Sequence, residues 1–104
     1  MFARVARYRI PEENLDRAVE AFSDAARHLR EIEGSAGGYL LIDRENCTAL
    51  TVVFWEDRRS LEASEVRASR LRSQAVAPLD GEIQAIDRCE VAIDFSELTP
   101  VYEG

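Results

Sequence analysis

Hydrophobic and polar positions follow two different periods along this chain, and each change of period marks a predicted element. Residues 2–10 mix small, aromatic, branched and arginine side chains without glycine, which predicts a first strand. Helical spacing follows and predicts a long amphipathic helix, whose apolar stripe is Leu15, Ala18, Val19, Phe22, Ala26 and Leu29. Gly34 is expected to end this helix.

Two strands joined by a short polar loop come next. Residues 39–42 are typical of a strand, residues 43–46 of a polar turn, and residues 49–55 of a second strand, so the segment predicts a hairpin. The second strand is apolar on both faces. Leu50, Val52 and Phe54 are expected to pack against the helices, which leaves Val53 and Trp55 pointing away from them.

A second helix and a final strand complete the pattern. Asp57 can cap a helix that runs to about Ala77, where a proline and a glycine follow. Residues 83–95 alternate again and predict the last strand. The tail after Ser96 has no period, and it is expected either to be loose or to reach a partner subunit.

The predicted order of elements, β-α-β-β-α-β, is the ferredoxin-like pattern of the α+β class. It predicts an antiparallel sheet in the spatial order 4-1-3-2 with both helices on one face. A chain of 104 residues suits one domain and leaves no room for two, so a single domain over residues 1–104 is expected.

The face of the sheet opposite the helices predicts how the chain assembles. Val53, Trp55 and one side of residues 39–42 would make that face apolar, and an apolar face must be covered. The chain has no further element to cover it. A second copy packed face to face is therefore expected, which gives a homodimer with the architecture of a dimeric α/β barrel.

Composition limits the partners and the location. The chain has 13 basic and 20 acidic residues and a net charge of −7, which argues against binding to nucleic acid. It has neither an apolar run long enough for a membrane span nor a signal-peptide stretch. A cytoplasmic location is expected, where Cys47 and Cys89 would remain unpaired thiols.

Several stretches of the sequence resemble the antibiotic biosynthesis monooxygenase-like family. The resemblance rests on residues 38–45 (GYLLIDRE), residues 50–56 (LTVVFWE) and residues 61–65 (LEASE), and it extends from Phe2 to Phe95. It implies the dimeric barrel fold. It also implies a range of activities, because members of the group include cofactor-independent monooxygenases acting on polyphenols and haem-degrading enzymes.

The haem-degrading branch of this group resembles the chain less well. That branch has an asparagine on the first strand, where this chain offers Arg7 or Tyr8. Ser64 stands about where its helical tryptophan belongs, and the rest of that helix contains no histidine to bind haem iron. Haem degradation is therefore not expected, and no cofactor is predicted.

The second helix carries an unusual polar position. Leu61, Ala68 and Ala75 define its apolar stripe, yet Arg72 falls almost at the centre of that stripe, and Ser64 and Glu65 flank it. A core-facing helix should not bury an unpaired arginine. Either the helix breaks near Ser64 and its phase resets, or these residues line an opening in which Arg72 holds an anionic or phenolate ligand.

A pocket for a small aromatic ligand is expected near Trp55, with Tyr39 and Thr51 beside it and with Ser64 and Arg72 on the facing helix. A structural role of Trp55, as a plug in the barrel or at the dimer seam, is the alternative.

Candidates for acid–base chemistry are few. His28 is the only histidine, and it falls off the apolar stripe of its helix, so a solvated surface residue is expected. Glu90 or Asp87 on the last strand could serve as a base if buried, whereas surface carboxylates are the alternative. No metal site, catalytic serine set or nucleotide-binding motif is present in the sequence.

Two functional hypotheses follow. The first is a small-molecule-binding barrel that acts as a cofactor-independent monooxygenase on a phenolic or quinone-type metabolite. The alternative is a non-catalytic ligand-binding or accessory protein of the same fold. The resemblance favours the first hypothesis, and the lack of a histidine in the expected pocket favours the second.

Overall fold

The computed structural model describes residues 1–97, 99 and 100. Its main elements alternate in the predicted order, with the second helix divided in two. They are β1 (Phe2–Arg9), α1 (Leu15–Leu29), β2 (Ser35–Asp43), β3 (Thr48–Trp55), α2 (Arg58–Ala63), α3 (Glu65–Val76), β4 (Glu82–Glu90), β5 (Ile93–Asp94) and β6 (Thr99–Pro100). Short 3-10 turns at Glu12–Asn14 and Ala77–Leu79 flank the helices.

The four long strands form one antiparallel sheet in the order β2-β3-β1-β4, which is the predicted 4-1-3-2 arrangement. The helices pack on one face of the sheet and bury a core between the two layers. The predicted ferredoxin-like α+β fold is therefore confirmed. None of the helices in the described part of the chain is both long and apolar enough to cross a bilayer.

The first helix buries a slightly different stripe from the predicted one. Its buried residues are Leu15, Ala18, Phe22 and Ala25, whereas Val19 is 44% exposed. The helix also ends at Leu29, five residues before Gly34. Gly34 has a φ of +86° and lies against α2, so its role is to let the connection to β2 approach that helix.

The second helix is broken at Ser64, as one of the two alternatives for this segment predicted. The carboxylate of Asp57 caps α2 by accepting a hydrogen bond from the backbone N–H of Ser60 at 2.8 Å. After the break, α3 buries Ala68, Arg72, Ala75 and Val76. Arg72 therefore faces the sheet even though the helix phase has been reset.

The prediction for the faces of β3 was wrong. Trp55 pairs with Phe2 and Thr51 pairs with Ala6, and these residues all point toward the helices. Trp55 has no exposed surface and packs with Leu61 of α2. Leu50, Val52 and Phe54 lie on the opposite face, which no helix covers.

The uncovered face of the sheet is nevertheless apolar over β2 and β3. Tyr39 and Leu41 of β2 are 67% and 49% exposed there, and the rings of Tyr39 and Phe54 meet edge to face with their centroids 6.3 Å apart. An exposed apolar sheet face was expected, but its members on β3 are the other set of alternating residues.

The last long strand is shorter than predicted, because β4 ends at Glu90. Ile93 and Asp94 then pair with Pro100 and Thr99 in a separate two-stranded ribbon. The rest of the tail, whose expected role was to be loose or to reach a partner, lies outside the described residues.

Candidate functional site

A cavity of about 430 Å³ lies between α1 and the sheet and opens to solvent beside the start of β2. Its walls are mainly apolar, and its mouth is formed by small residues. The lining residues are Phe22, Ala25, Ala26, Leu29, Arg30, Ser35, Ala36, Gly37, Gly38, Tyr39, Leu40, Thr51 and Val53. The volume lies within the usual range for small-molecule sites in proteins.

A second, smaller cavity of about 40 Å³ adjoins the first one. The two cavities share Phe22, Ala25, Leu29, Thr51 and Val53. The small cavity adds Arg4, Tyr8, Ala68 and Arg72. The site is thus an apolar chamber with a polar inner end, which we call the inner chamber.

Arg72 is an uncompensated charge at the inner chamber. Its side chain is only 9% exposed, and its buried Nε has no hydrogen-bond partner. No residue within the described part of the chain forms an ion pair with it. A buried guanidinium nitrogen without a partner is costly, so this arrangement marks a candidate site for an anionic ligand.

Arg4 has more partners than Arg72, although its Nε is likewise buried without a hydrogen bond. It donates hydrogen bonds to the carbonyl oxygen of Leu61 at 2.8 Å and to the hydroxyl of Ser64 at 3.0 Å, and it lies 3.1 Å from the carboxylate of Glu65. Its guanidinium carbon also sits 5.7 Å from the centre of the Trp55 ring. Burial lowers the pKa of Arg4, and its contacts with Glu65 oppose that effect.

Glu65 joins two arginines across the start of α3. It accepts hydrogen bonds from Arg88, one of them at 2.9 Å, in addition to its ion pair with Arg4. These hydrogen bonds, that from Arg88 first, lower the pKa of Glu65 to about 2. The carboxylate is therefore ionised and already paired, and it leaves Arg72 uncompensated.

Two hydroxyl groups complete the inner chamber. The Tyr8 hydroxyl and Thr51 Oγ1 are 2.8 Å apart and share a hydrogen bond between β1 and β3. Burial raises the pKa of Tyr8, so its hydroxyl stays protonated near neutral pH. One of the two hydroxyls donates the shared hydrogen bond. The other accepts it and keeps its own proton free to donate to a ligand.

The predicted pocket residues are only partly brought together. Thr51 and Arg72 line the inner chamber. Tyr39 stands at the rim of the larger cavity, but its ring turns to the uncovered face of the sheet, where it meets Phe54. Trp55 lies beneath Arg4 and is absent from both linings, and Ser64 is buried at the helix break.

The predicted acid–base candidates lie away from the cavities. Asp87 and Glu90 are exposed on β4, so the burial that would make either of them a base is not present. His28 is exposed on α1. Sequence reasoning missed Arg4 and Tyr8. The signal available for them was their position, two and six residues after the apolar Phe2, which places all three on one face of the strand.

The comparison with protein families decides what this chain is related to. A family model described as "Antibiotic biosynthesis monooxygenase" matches residues 1–74. The chain belongs to the antibiotic biosynthesis monooxygenase family. No curated protein matches this member of the family.

Solved structures share the fold of this family member at low sequence identity. A candidate antibiotic biosynthesis monooxygenase of Deinococcus radiodurans is 13% identical with a TM-score of 0.69, over 86% of this chain and 91% of its own. MupZ of Pseudomonas fluorescens is 15% identical with a TM-score of 0.69, over 84% of this chain and 69% of its own. The haem degrader MhuD of Mycobacterium tuberculosis is 16% identical with a TM-score of 0.68, over 90% of this chain and 98% of its own. These similarities show a common fold.

The MhuD structure holds two haems in its active site, so the fit of haem to this family member can be tested. The linings of the two cavities contain no histidine, cysteine or methionine, and the ring of Tyr39 points outward. The Tyr8 hydroxyl is shared with Thr51, and burial raises its pKa, so it is not poised to bind iron as a phenolate. The usual axial ligands of haem iron are therefore missing, and the residues do not fit this group. Within the described residues, no three histidine, cysteine or acidic side chains lie together as a metal site requires.

Proposed function

We propose that this family member binds a small aromatic metabolite between its helices and its sheet and oxidises it as a cofactor-independent monooxygenase. The uncompensated Arg72 at the inner end of an apolar cavity supports the proposal most directly. Apolar walls suit an aromatic body, and one buried cation suits a phenolic or quinone-type oxygen that carries negative charge.

The residues of the cavity would act mainly on the charge of the substrate. A phenol that reacts with oxygen must first lose its proton, and a nearby guanidinium favours the phenolate over the phenol. Arg72 supplies that charge, and the protonated Tyr8 hydroxyl can donate to the same oxygen. The proton can leave through the open mouth beside β2. In an anthrone-like substrate, one oxygen atom of O₂ becomes the new carbonyl, and the other leaves as water with the two hydrogens of the oxidised carbon.

A non-catalytic binding or accessory protein is the second candidate, and one observation favours it. No histidine or carboxylate stands among the residues that line the two cavities. The site then stabilises a negative charge but has no general base. Charge stabilisation is sufficient for binding, whereas catalysis would also need a group that accepts the proton.

We also propose that the chain works as a homodimer. The uncovered sheet face carries Tyr39, Leu41, Val52 and Phe54, and a second copy is the simplest partner that presents a matching apolar surface. Packing two such faces together would form the dimeric α/β barrel.

Calorimetric titration with hydroquinones and anthrone-like phenols tests the proposal. We expect at least one of these compounds to bind the wild type. Arg72→Gln should lower the affinity about 10-fold to 100-fold, because a hydrogen bond to a charged group contributes about 1.5–3 kcal/mol. Arg70→Gln is the matched control, because Arg70 is exposed on the same helix. Oxygen consumption then separates the two candidates: turnover above the buffer rate supports the enzyme, whereas binding without turnover supports the accessory protein. The absence of any binding would refute both.

A further inference from the structure

We propose that the inner chamber is a carboxylate-binding subsite and that the ligand of this protein is an aromatic monocarboxylic acid. The inference rests on the proposed binding of a small aromatic ligand, and it assigns the carboxylate of that ligand, in place of a phenolate oxygen, to Arg72. It follows from the charge, the size and the donor groups of the inner chamber.

The charge of the inner chamber calls for one anion. Arg4 and Arg88 share the carboxylate of Glu65, whereas Arg72 has no ion-pair partner among the described residues. The charge of Arg72 is close enough to oppose protonation of Arg4. No acidic side chain lines the chamber. One bound negative charge would therefore balance Arg72 without competing with an existing ion pair.

The size of the inner chamber limits what that anion can be. A cavity needs about 10–15 Å³ for each water-sized group, so 40 Å³ holds about three such groups. A carboxylate has three heavy atoms and is planar. A sulfonate or phosphate has at least four and is tetrahedral, so a carboxylate is the smaller head group for the same space.

The donors of the inner chamber also match a carboxylate. The planar fork of a guanidinium can hold both oxygens of a carboxylate at once, whereas a phenolate offers a single oxygen. The Tyr8–Thr51 pair can supply a further hydroxyl donor to one of those oxygens. The shared walls Phe22, Leu29 and Val53 then lead directly into the larger apolar chamber, which would receive the aromatic body.

A set of naphthalene derivatives with one framework and different head groups tests the subsite. Calorimetry on the wild type would compare 2-naphthoate, 2-naphthamide, 2-naphthol and naphthalene-2-sulfonate at neutral pH. We expect 2-naphthoate to bind at least 10-fold more tightly than each of the other three. In Arg72→Gln, the preference for 2-naphthoate over 2-naphthamide should disappear, whereas Arg70→Gln should keep it. Circular dichroism checks that both variants fold.

The outcomes distinguish the two proposals. Equal affinity for 2-naphthoate and 2-naphthamide in the wild type would refute the carboxylate subsite and leave the aromatic cavity standing. Tight binding of the sulfonate would also refute it, because the size argument would then be wrong. If none of the four compounds binds, the proposed small-molecule function fails with it. The wild-type comparison decides the matter even if Arg72→Gln does not fold.

Discussion

The guanidinium of Arg4 on β1 donates a hydrogen bond to the hydroxyl of Ser64, 3.0 Å away, at the break between α2 and α3. The same hydroxyl donates to the carbonyl oxygen of Leu61 at 2.7 Å. The break is therefore held to the sheet by buried hydrogen bonds. Because α3 starts at this point, the contact also fixes the direction in which Arg72 faces.

Replacing Ser64 by alanine should destabilise the protein by about 1–2 kcal/mol, because two buried hydrogen bonds are lost and Arg4 keeps only part of its contacts. Urea unfolding of Ser64→Ala measures the change in the free energy of unfolding. Ser69→Ala is the control, since Ser69 is exposed on α3. Equal stability of the two variants would show that the break does not depend on this hydroxyl.

Glu65 should make the protein acid-sensitive. Its pKa in the folded chain is about 2, below the ordinary value of 4.5, so its ionised form stabilises the fold. This stabilisation is complete above about pH 5 and is lost as the pH falls toward 2. In Glu65→Gln, the melting temperature should be lower at neutral pH and should fall less steeply between pH 5 and pH 3.

The cost of Glu65→Gln at neutral pH should be about 1.5–3 kcal/mol, the range for hydrogen bonds to charged groups, because Arg4 remains buried. Glu62→Gln is the control for removing a negative charge, since Glu62 is exposed on α2. If both variants melt with the same pH dependence, Glu65 is not responsible for the acid sensitivity.

Gly34 should tolerate alanine poorly. A Cβ at this position would lie 2.1 Å from Ser60 Oγ and 2.4 Å from Ser60 Cβ, and the backbone there has a φ of +86°. We expect Gly34→Ala to destabilise the protein by about 3 kcal/mol, from backbone strain and overpacking together. The double variant Gly34→Ala/Ser60→Gly should recover the overpacking part.

Gly37 provides the matched control for Gly34, because its φ is +89° but a Cβ added there would have no atom within 4 Å. Gly37→Ala should cost only the backbone strain, about 1–2 kcal/mol. Thermal melts of the three variants separate the two contributions. Equal losses at Gly34 and Gly37 would exclude the contact with Ser60 as a cause.

The proposed homodimer should depend on the uncovered sheet face. Leu41→Glu places a charge within that apolar surface and should convert the dimer to a folded monomer, as measured by light scattering at micromolar concentration. Val66→Glu is the control, because Val66 is exposed on the opposite, helical side. A dimer that survives Leu41→Glu would mean that the copies associate through another surface.

The order of the strands could be predicted because it depends on local signals. Strand β1, the β2–β3 hairpin and the two helices are each marked by a period and a polar turn. The faces of β3 could not be predicted in this way, since residues 50–55 include apolar side chains at both alternating positions. Pairing with β1 decides the faces, and Trp55 opposite Phe2 is a contact between residues far apart in the chain.

The site could be predicted where a charged residue lies on the apolar stripe of a helix. Arg72 on the stripe of Ala68 and Ala75 indicated either a break or an opening, and the structure has both, a break at Ser64 and a cavity at Arg72. Arg4 and Tyr8 gave no comparable signal. Their partners Ser64 and Thr51 are 60 and 43 residues away in the sequence. A local hydrophobic pattern does not indicate contacts between residues so far apart.

The irregular start of β2 has a consequence for how copies of this chain can meet. The register between β2 and β3 shifts between Ser35 and Gly38, so this edge strand does not offer a straight row of free backbone groups. The other edge strand, β4, carries exposed charged side chains, among them Glu82, Asp87 and Arg88. Both borders of the sheet therefore discourage the addition of a foreign strand, which protects the chain from growing into continuous ribbons.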